Sequence, residues 1–333
     1  MNYRKLGSSE LNVSILGLGC LHFGGYLNES ESLDLISYAI HHGVNFIDTG
    51  PLYGNGLSEG IVGKAIRGCR TQIVLSTKVG LSRRRLADGS FGVEVVPLRA
   101  DQIRSSLDKS LKELGTDYID IFQFHAYDAS TPLEESLGEM NRLIDEGKIR
   151  SIAVSNYDPN ELEAVLAVIQ NNSWQPLVAI ETHYNVLERM VERELLPLCD
   201  KNQVSIIPYR SLARGILTGK YEGGIIQANS RAADSWRVRQ WLLPETLAVV
   251  SGFADFAKQS GRTVTELALA WLYSKVNIGS VLIGARDIGQ LELCLNSCDW
   301  TLNCESLIEI DRLIDLHGQR HHVSTHPKVY FEK

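Results

Sequence analysis

Four residues that can take part in proton transfer stand where short apolar segments end. Asp48 and Tyr53 follow the segment VNFI. Lys78 follows IVLST, and His125 follows IDIFQF. A carboxylate, a phenol, an amine and an imidazole from three successive strand ends can converge on one point, because the carboxyl ends of parallel strands open on the same face of a barrel. The spacing therefore predicts a site for acid-base chemistry on such a face.

The composition is that of an ordinary globular protein. The chain has 333 residues, of which 44% are hydrophobic and 22% are charged, enough apolar material for a full core. This length allows two domains, but a single α/β barrel also fills it, and we expect one domain over residues 1–333. The net charge of -7 gives no general attraction to nucleic acid or to anionic lipid, so neither partner is expected.

The sequence shows no sign of export or of membrane insertion. No apolar run approaches the roughly 20 residues that cross a bilayer, and the first residues lack the apolar stretch of a signal peptide. We therefore expect a cytoplasmic protein. The six cysteines include no Cys-x-x-Cys pair, which indicates reduced thiols. Cys294 and Cys298 lie one helical turn apart, but no nearby histidine or carboxylate completes a metal site, so packed thiols are expected.

Strand and helix patterns alternate along the chain. Eight segments have the apolar character of buried strands, at residues 15–19, 44–47, 73–77, 119–124, 149–154, 177–181, 204–208 and 279–283. Helical periodicity is found at residues 31–41, 58–67, 100–114, 132–146, 159–169 and 188–201. This alternation predicts a (β/α)8 TIM barrel. Residues 3–13 are expected to form an N-terminal β-hairpin that plugs its bottom, and an additional C-terminal helix is expected.

Three segments fall outside the alternation. Residues 210–244 contain no clear barrel element, and long loops in compact domains are usually functional, so this stretch is predicted to cover a cofactor or substrate. Residues 83–85 are arginines with Asp88 and Gly89 close behind; a solvated loop is expected there, with a substrate lid as the alternative. The histidine-rich tail at 317–333 is expected to be exposed, with pocket lining as its alternative.

Five longer motifs carry a resemblance to a known family. They are NFIDTGPLYG at 45–54, STK at 76–78, LGTDYID at 114–120, GKIRSIAVSN at 147–156 and LTGKY at 217–221. In this order they resemble the aldo-keto reductases, in the branch that contains bacterial sugar and inositol-type reductases and potassium-channel β subunits. The resemblance extends from residue 3 to about residue 316. It implies a barrel that binds a nicotinamide cofactor without a Rossmann domain, and no Gly-x-Gly-x-x-Gly follows a strand here.

The four residues at the strand ends match the family's catalytic tetrad. Reduction of a carbonyl by hydride puts negative charge on oxygen, and Tyr53 is predicted to donate the proton that neutralises it. A free tyrosine has a pKa of about 10, so a cation must stabilise its phenolate in the reverse reaction, and Lys78 fits this role. Asp48 is expected to hold Lys78 in its charged form, and the resemblance also assigns it a hydrogen bond to the cofactor ribose. His125, as a neutral imidazole, can orient the substrate carbonyl.

Further site residues carry over from the resemblance. Ser155 and Asn156 are expected to hold the nicotinamide carboxamide, and Tyr209 is expected to stack on the ring. Cationic side chains and backbone groups that bind the phosphates or line the rest of the cofactor site are predicted at Arg210, Ser211, Leu212, Ala213, Gly215, Lys220, Arg231, Gly284, Arg286 and Gln290. The substrate is expected to contact Leu21, Tyr53, His125 and Tyr127.

The chain departs from the family pattern in three respects, which involve four positions. Glu181 stands where relatives usually have Gln near the carboxamide; it can accept a hydrogen bond from the amide but cannot donate one. Leu293 and Cys294 replace the usual Glu-Asn pair at the adenine, which predicts adenine recognition that is looser or apolar. Leu21 replaces an aromatic pocket residue of some relatives, so the substrate pocket is not copied from them.

The choice of cofactor depends on Arg286. A guanidinium binds a ribose 2′-phosphate well, so NADPH is favoured as the cofactor. Asp287 beside it can instead accept a hydrogen bond from a free ribose hydroxyl, which leaves NAD possible.

The complete tetrad favours an NAD(P)(H)-dependent oxidoreductase that interconverts a small-molecule carbonyl (aldehyde, ketone or sugar) and an alcohol. Two alternatives stay open: a cofactor-binding regulatory subunit with little turnover, and a sugar dehydrogenase that works mainly in the oxidative direction. A metal-dependent isomerase or hydrolase is disfavoured, since His125, Glu181 and His183 make a poor ligand set at the strand ends. No pattern in the sequence specifies an oligomeric state.

Overall fold

The computed structural model, which describes residues 1–85, 89, 91–228 and 230–316, consists of strands that alternate with helices. Its strands are β1 (Tyr3–Lys5), β2 (Asn12–Ser14), β3 (Leu16–Gly19), β4 (Phe46–Asp48), β5 (Val74–Val79), β6 (Leu81–Arg85), β7 (Phe91–Val95), β8 (Ile119–Phe124), β9 (Ile149–Ser155), β10 (Leu177–His183), β11 (Ser205–Tyr209) and β12 (Val281–Ile283). Its α-helices are α1 (Glu29–His41), α2 (Ser58–Ile66), α3 (Ala100–Leu114), α4 (Leu133–Asp145), α5 (Pro159–Asn172), α6 (Leu195–Lys201), α7 (Arg231–Asp234), α8 (Trp236–Arg239), α9 (Pro244–Gln259), α10 (Val264–Tyr273), α11 (Ile288–Asn296) and α12 (Cys304–Leu316).

Eight of these strands form one parallel sheet that closes into a barrel. Neighbouring strands follow the order β11-β10-β9-β8-β5-β4-β3-β12, and each pair is parallel. The two ends of this order meet where the amide of Ile206 donates to the carbonyl of Asn277 at 2.7 Å and the amide of Gly279 donates to the carbonyl of Ile206 at 2.9 Å. The predicted (β/α)8 barrel is confirmed.

Side chains of the barrel strands alternate between the interior and the surrounding helices. Phe46, Val74 and Ile121 belong to one apolar cluster inside the barrel. Their immediate neighbours along the strands, such as Ile47 and Phe122, pack instead in the larger core that includes the helices. Strands that are buried on both faces read as continuous apolar runs, which is why the sequence pattern located them.

Local sequence signals set several helix boundaries. At the start of α5 the Asp158 side chain accepts from the amide of Glu161, and the Glu161 side chain accepts from the amide of Asp158. This capping box satisfies two amides that the helix leaves unpaired, and such a cap contributes about 1 kcal/mol. α3 ends before Gly115, whose φ of 61° lies in the left-handed region that favours glycine. These helices therefore begin and end close to their predicted bounds.

An N-terminal hairpin closes the bottom of the barrel. β1 and β2 pair antiparallel, with Tyr3 opposite Ser14. Val13 lies in β2 and Leu6 directly follows β1. Both are fully buried in the interior cluster that contains Phe46. Burial of a leucine or a valine contributes about 1.5–3 kcal/mol, so the hairpin is part of the core. The predicted hairpin and its place at the bottom are confirmed.

The helix predicted at 188–201 is shorter in the structure. α6 begins at Leu195, and a single 3-10 turn at Met190–Glu192 precedes it. Upstream, the Asn185 side chain accepts from the amides of the second and third residues after it, which forms a turn instead of a helix. Glu188 therefore lies in a turn, and the prediction that it begins a helix was wrong.

The arginines at 83–85 lie in a β-hairpin within the connection between β5 and α3, and the sequence pattern did not predict this hairpin. β6 pairs antiparallel with β7, with Arg83 opposite Val93 and Arg85 opposite Phe91. The aromatic and β-branched residues of β7 supply the partner strand that the run of arginines gave no reason to expect. All three arginine side chains are nevertheless exposed, as expected of a charged run.

The remaining segments behave as connections. Within 210–228 and 230–244 the structure has no strand, only short helical turns that include α7 and α8, so this stretch remains a candidate cover. α12 is the expected additional C-terminal helix. The tail at 317–333, with its predicted exposure, lies outside the described residues. None of the helices that the structure describes is long and apolar enough to cross a membrane.

Candidate active site

The side chains predicted to do chemistry meet at the carboxyl ends of the barrel strands. Asp48, Lys78 and His125 continue the inward alternation of β4, β5 and β8 beyond the apolar residues that fill the interior. Asp48 and Lys78 are sealed from solvent, at 1% and 0% exposure. His125 and Tyr53 lie nearer the mouth and keep partial exposure. The structure therefore brings all four predicted residues to one place.

A buried ammonium between two carboxylates forms the centre of the site. Nζ of Lys78 lies 2.5 Å from each carboxylate oxygen of Asp48 and 3.2 Å from Oε2 of Glu181. It also donates to the carbonyl of Thr49 at 3.1 Å. A buried ammonium is costly unless acceptors compensate for lost water, and here acceptors outnumber its three N–H donors. These contacts hold Lys78 in its charged form.

Gln123 links the acids of this cluster, and the sequence analysis did not single it out. Its Nε2 donates to Oδ1 of Asp48 at 3.1 Å, to Ser76 Oγ at 2.5 Å and to Oε2 of Glu181 at 3.2 Å. The signal that could have found it is the period of two along β8, which places Gln123 inward between Ile121 and the catalytic candidate that follows the strand. An amide at such a position needs polar partners across the barrel.

Tyr53 reaches the cluster from the turn after β4. Nζ of Lys78 lies 5.0 Å from the centroid of its ring. The imidazole of His125 meets the ring edge-on, with 6.0 Å between centroids and an interplanar angle of 75°. The turn itself requires glycine next to Tyr53, since a Cβ on Gly54 would lie 1.5 Å from the carbonyl oxygen of Phe23. Close packing against the loop after β3 therefore positions the phenol.

Burial and neighbouring charges set the protonation states. Burial raises the pKa of Tyr53; the ammonium of Lys78 opposes this and the carboxylate of Asp48 adds to it, so the phenol is neutral. Burial lowers the pKa of His125 well below its ordinary value, and the charge of Lys78 acts in the same direction. Burial also acts to lower the pKa of Lys78, but Asp48 and Glu181 outweigh it and hold the pKa well above its ordinary value. The site thus holds a neutral phenol, a neutral imidazole and a charged ammonium.

Ser155, Asn156 and Tyr209 form one hydrogen-bonded group beside the cluster. Nδ2 of Asn156 donates to Ser155 Oγ at 2.9 Å and to the carbonyl of His125 at 3.1 Å. The hydroxyl of Tyr209 donates to Oδ1 of Asn156 at 2.7 Å. Asn156 has a φ of 63°, a left-handed conformation that asparagine tolerates. The residues predicted to meet the nicotinamide end of a cofactor therefore lie together.

A buried histidine-glutamate pair, which the sequence did not predict, lies next to this group, although His183 had been named as a residue at a strand end. Nε2 of His183 contacts Oε2 of Glu188, and Nδ2 of Asn185 donates to the carbonyl of Arg210 at 3.1 Å. The ring of His183 stacks with that of Tyr209 at a centroid distance of 5.5 Å. The pair supports Tyr209 from behind. Glu181 points inward, and His183 lies two residues further along β10. The period of two along a strand could therefore have indicated that His183 also points inward.

The loop after β11 places backbone groups and a cation at the mouth. The hydroxyl of Ser211 donates to the carbonyl of Leu282 at 2.9 Å, which ties the loop to β12. Gly215 has a φ of 94°, and a Cβ on it would lie 2.7 Å from Nζ of Lys220. The ammonium of Lys220 therefore lies against the backbone of Gly215, where no side chain intervenes. The other predicted residues of this loop follow β11 directly and are Arg210, Leu212 and Ala213.

Two further guanidinium groups approach each other at the same end. Burial lowers the pKa of Arg231, and the charge of Arg286 adds to this effect. Burial, Arg231 and Arg286 together lower the pKa of His22 to about 4. The guanidinium of Arg286 lies 4.7 Å from the centroid of the Tyr26 ring. In the part of the chain that the structure describes, no carboxylate pairs with either arginine. Two close cations without an acid are the donor set that a phosphate requires.

The segment after β12 ties Gln290 to its neighbours. Gln290 accepts at Oε1 from the amide of Arg286 at 3.2 Å. The carboxylate of Asp287 accepts from the amide of Gln290 at 2.8 Å and from its Nε2 at 2.7 Å. Asp287 is therefore the N-cap of α11, with both oxygens engaged. Gly284 faces His22, whose ring carbon lies 3.6 Å from the place of a Cβ on that glycine.

The predicted substrate residues lie around the mouth with different exposure. Leu21 is 50% exposed, whereas Tyr127 packs edge-on against Tyr157 at 5.3 Å between centroids. Arg83 of the β6-β7 hairpin donates to Oδ1 of Asn55 at 2.8 Å, which brings the hairpin beside the turn that carries the phenol. The hairpin therefore lies beside the mouth of the candidate site.

The two residues that depart from the family pattern at the adenine have different surroundings. Leu293 is exposed and Cys294 is buried, so only Leu293 offers an apolar surface there. The thiol of Cys298 lies 3.9 Å from the carbonyl of Cys294, in the manner of packed thiols. Among the described residues no three His, Cys, Asp or Glu side chains are arranged to hold a metal ion.

The chain matches the model of the Aldo/keto reductase family over residues 15–315. It is 34% identical over 328 residues to the aldo-keto reductase YhdN of Bacillus subtilis, which covers 95% of this chain and 94% of the relative. It is also 34% identical over 318 residues to a probable voltage-gated potassium channel subunit beta of Arabidopsis thaliana, covering 90% and 92%. The chain belongs to the aldo-keto reductase family, and the resemblance seen in its motifs is confirmed.

Two further similarities are to enzymes with named activities. The NADH-specific methylglyoxal reductase of Escherichia coli is 32% identical over 330 residues, covering 92% of this chain and 98% of that protein. The structure of the glycerol dehydrogenase AKR11B4 from Gluconobacter oxydans superposes with a TM-score of 0.84 at 28% identity, covering 97% of this chain and 98% of that one. Family membership with such relatives makes the chain an oxidoreductase of the carbonyl-alcohol class.

Proposed function

We propose that the chain is an NAD(P)(H)-dependent enzyme that interconverts an aldehyde, ketone or sugar carbonyl and the corresponding alcohol, with Tyr53 as general acid and base. The observation that carries the proposal is the ammonium of Lys78, bonded to both oxygens of Asp48 and 5.0 Å from the phenol ring. Apolar residues would fill such a buried position with a smaller desolvation penalty. The presence of a charged cluster beside a phenol therefore favours a chemical role over a structural one.

Tyr53 and Lys78 divide the proton transfer between them. When bound, the nicotinamide cofactor would supply a hydride to the carbonyl carbon or accept one from the alcohol. In reduction, the neutral Tyr53 gives its proton to the oxygen on which negative charge develops. In oxidation, Tyr53 must first become a phenolate, and Lys78 is the group whose charge lowers its pKa. The same pair thus serves both directions.

His125 is proposed to orient the substrate. Its imidazole stays neutral because burial and Lys78 disfavour the charged form, so it can donate one N–H without carrying a charge. Its edge-on contact with Tyr53 lets both groups point at one substrate oxygen. Two donors that converge on the oxygen stabilise the charge that forms there.

The residues at the mouth fit a nicotinamide dinucleotide. Ser155, Asn156 and Tyr209 already form one group that can receive the amide and the ring, with Glu181 as a further acceptor. Lys220 and the bare backbone at Gly215, where a Cβ would lie 2.7 Å from the ammonium, offer a charged cradle for phosphates. Residues 210–244, as part of one domain, would then cover the bound cofactor.

NADPH is the favoured cofactor, supported by the guanidinium groups of Arg286 and Arg231. They repel one another, and a dianionic 2′-phosphate would relieve this repulsion. The competing acceptor for a free ribose hydroxyl, Asp287, has both oxygens engaged by Gln290. One relative is named as NADH-specific, so both cofactors belong in the test.

A panel of aldehydes, ketones and sugars, assayed in both directions with both cofactors, tests the proposal. We expect hydride transfer with at least one carbonyl-alcohol pair. Tight cofactor binding without hydride transfer across the panel would favour a regulatory subunit instead. Turnover only from alcohol to carbonyl at working concentrations would favour the dehydrogenase interpretation.

A further inference from the structure

Glu181 adds a second carboxylate to the buried ammonium of Lys78. Its Oε2 lies 3.2 Å from Nζ of Lys78 and 3.2 Å from Nε2 of Gln123, and the residue is only 4% exposed. The same Gln123 amide donates to Oδ1 of Asp48 at 3.1 Å, so one amide group bridges both acids. Two carboxylates therefore share one ammonium in a site without solvent.

This cluster cannot be electrically balanced when both acids are ionised. Lys78 compensates for one carboxylate, and the other leaves a negative charge unbalanced in a poorly screened interior. Burial raises the pKa of Glu181 to about 7; Asp48 adds to the rise and Lys78 opposes it. Burial likewise raises the pKa of Asp48. Such a pair takes up and releases one proton as a unit near neutral pH.

The groups around Glu181 show which residues can respond to its charge. Lys78 faces it from β5, Asp48 from β4 and Tyr53 from the turn after β4. β8 contributes Gln123 and the neutral His125. The partners of Glu181 in the neighbouring strands, Ser155 and Ile207, do not titrate, and His183 on its own strand is paired with Glu188. Burial is the largest influence on the pKa of Tyr53, followed by Lys78, Asp48 and then Glu181, which raises it.

We propose that Glu181 is a positioning residue that acts through Lys78, so that its ionisation sets how strongly the ammonium stabilises the phenolate of Tyr53. The inference rests on the proposed role of Tyr53 as acid and base. An ionised Glu181 offsets the charge of Lys78, and Tyr53 keeps its proton, the state needed for carbonyl reduction. A protonated Glu181 leaves Lys78 free to act on Tyr53, and the phenolate needed for alcohol oxidation forms more readily.

The test replaces Glu181 by a neutral residue of the same shape and measures the pKa of Tyr53 directly. In Glu181→Gln we expect this pKa to fall by about one unit, because a like charge a few ångströms away has been removed. The pKa is read from tyrosinate absorbance during alkaline titration, after subtraction of the curve of the same protein with Tyr53→Phe. The acidic limb of kcat/KM for alcohol oxidation should move to lower pH by a similar amount. Glu181→Met, also neutral, should give the same shift.

Glu139→Gln is the matched control. Glu139 is as buried as Glu181, but it lies on α4 and pairs with Arg104 at 2.7 Å and with Arg142 at 2.9 Å. Its substitution should leave the titration of Tyr53 unchanged. Equal shifts in both variants, or an unchanged Tyr53 titration in both Glu181 variants of an active protein, would overturn the role of Glu181 and leave the proposed function intact. The wild-type protein could show no turnover while the pKa of Tyr53 still falls in the Glu181 variants. That result would contradict the proposed function and not the coupling.

Discussion

Asp48 presents both of its carboxylate oxygens to the ammonium of Lys78, at 2.5 Å each. Asp48 lies two residues along β4 from Phe46, an apolar residue of the barrel interior. The last layer of the core and the first layer of the site are thus adjacent along one strand. Changes to this contact should therefore appear both in stability and in turnover.

Replacement of Tyr53 by phenylalanine should remove carbonyl reduction while cofactor binding persists. The variant lacks the proton donor, and loss of a general acid lowers kcat/KM by about 10²–10⁴-fold. Steady-state kinetics together with the cofactor Kd provide the measurement. Tyr118→Phe is a control, because that ring lies between Arg70 and Arg150, 4.0 Å from each guanidinium. Near-native turnover of Tyr53→Phe would contradict the assignment.

Replacement of Lys78 by methionine should destabilise the protein, and more so at higher pH. The change leaves Asp48 and Glu181 buried without their cation, which costs about 3–5 kcal/mol when both are ionised. Without Lys78 their folded pKa values lie above the unfolded values of about 4, so stability is retained below that pH and lost as pH rises. Urea unfolding at about pH 5 and about pH 8 measures this. An equal loss at both pH values would contradict the argument.

The pH dependence of the free energy of unfolding of the wild-type protein should show the contribution of Glu181. Its pKa is raised to about 7 in the folded protein, above the unfolded value of about 4.5, so it favours folding below the unfolded value and this contribution is lost as pH rises toward 7. Glu181→Gln should therefore gain up to about 3 kcal/mol relative to wild type between about pH 4.5 and about pH 8. Paired urea titrations across this range check it. A constant difference between the two proteins would speak against the raised pKa.

Replacement of His125 by leucine, which has no hydrogen-bond donor, should lower kcat/KM by about 10²-fold, the effect of losing one donor to the substrate oxygen. Burial and Lys78 keep the pKa of His125 well below its ordinary value, so it does not change charge in the assay range. The ratio of wild-type to variant activity should therefore stay constant from about pH 6 to about pH 9. A ratio that titrates near the ordinary pKa of histidine would show that the charged imidazole takes part.

Replacement of Arg286 by alanine should weaken NADPH binding more than NADH binding. A charge-assisted hydrogen bond to a phosphate contributes about 1.5–3 kcal/mol, so we expect the Kd for NADPH to rise by about 10–100-fold. Fluorescence titration of both cofactors measures it. Arg312→Ala, at an exposed pair with Glu309 on α12, should change neither. An equal loss for both cofactors would exclude a role for Arg286 at the 2′-phosphate.

The sequence was sufficient for the barrel and for the convergence of the four polar residues, because continuous apolar runs mark the buried strands and parallel strands open on one face. Phe46 and Asp48, or Ile121 and His125, are separated by even numbers of residues, so the residues that fill the interior also predict what reaches the mouth. The family motifs then added what spacing alone could not, namely a separate predicted role for each residue, including Tyr53, which lies in a turn. The positions of these residues in the structure agree with both arguments.

Contacts made across the barrel could not be predicted from the sequence in the same way. Gln123 has partners on three other strands, and nothing local to β8 indicates which polar groups will face it. Glu188 matched a helical pattern, yet the Asn185 side chain competed for the backbone amides and formed a turn. The arginines at 83–85 paired with a strand whose own pattern was too short to recognise. In each case the deciding partner is distant in sequence or is a side chain that competes with the helix.

The N-terminal hairpin closes the barrel at the end opposite to the candidate active site. Deletion of residues 2–14 would remove Leu6 and Val13 and admit water below Phe46. We expect a lower Tm and faster hydrogen exchange in β4 and β5, and unchanged exchange there would contradict this view. Water that rose to Lys78 from that side would let protons leak between the buried acids and the bulk without passing the substrate. The first residues of the chain thus keep bulk water away from the buried acids, although none of their own side chains belongs to the acid cluster.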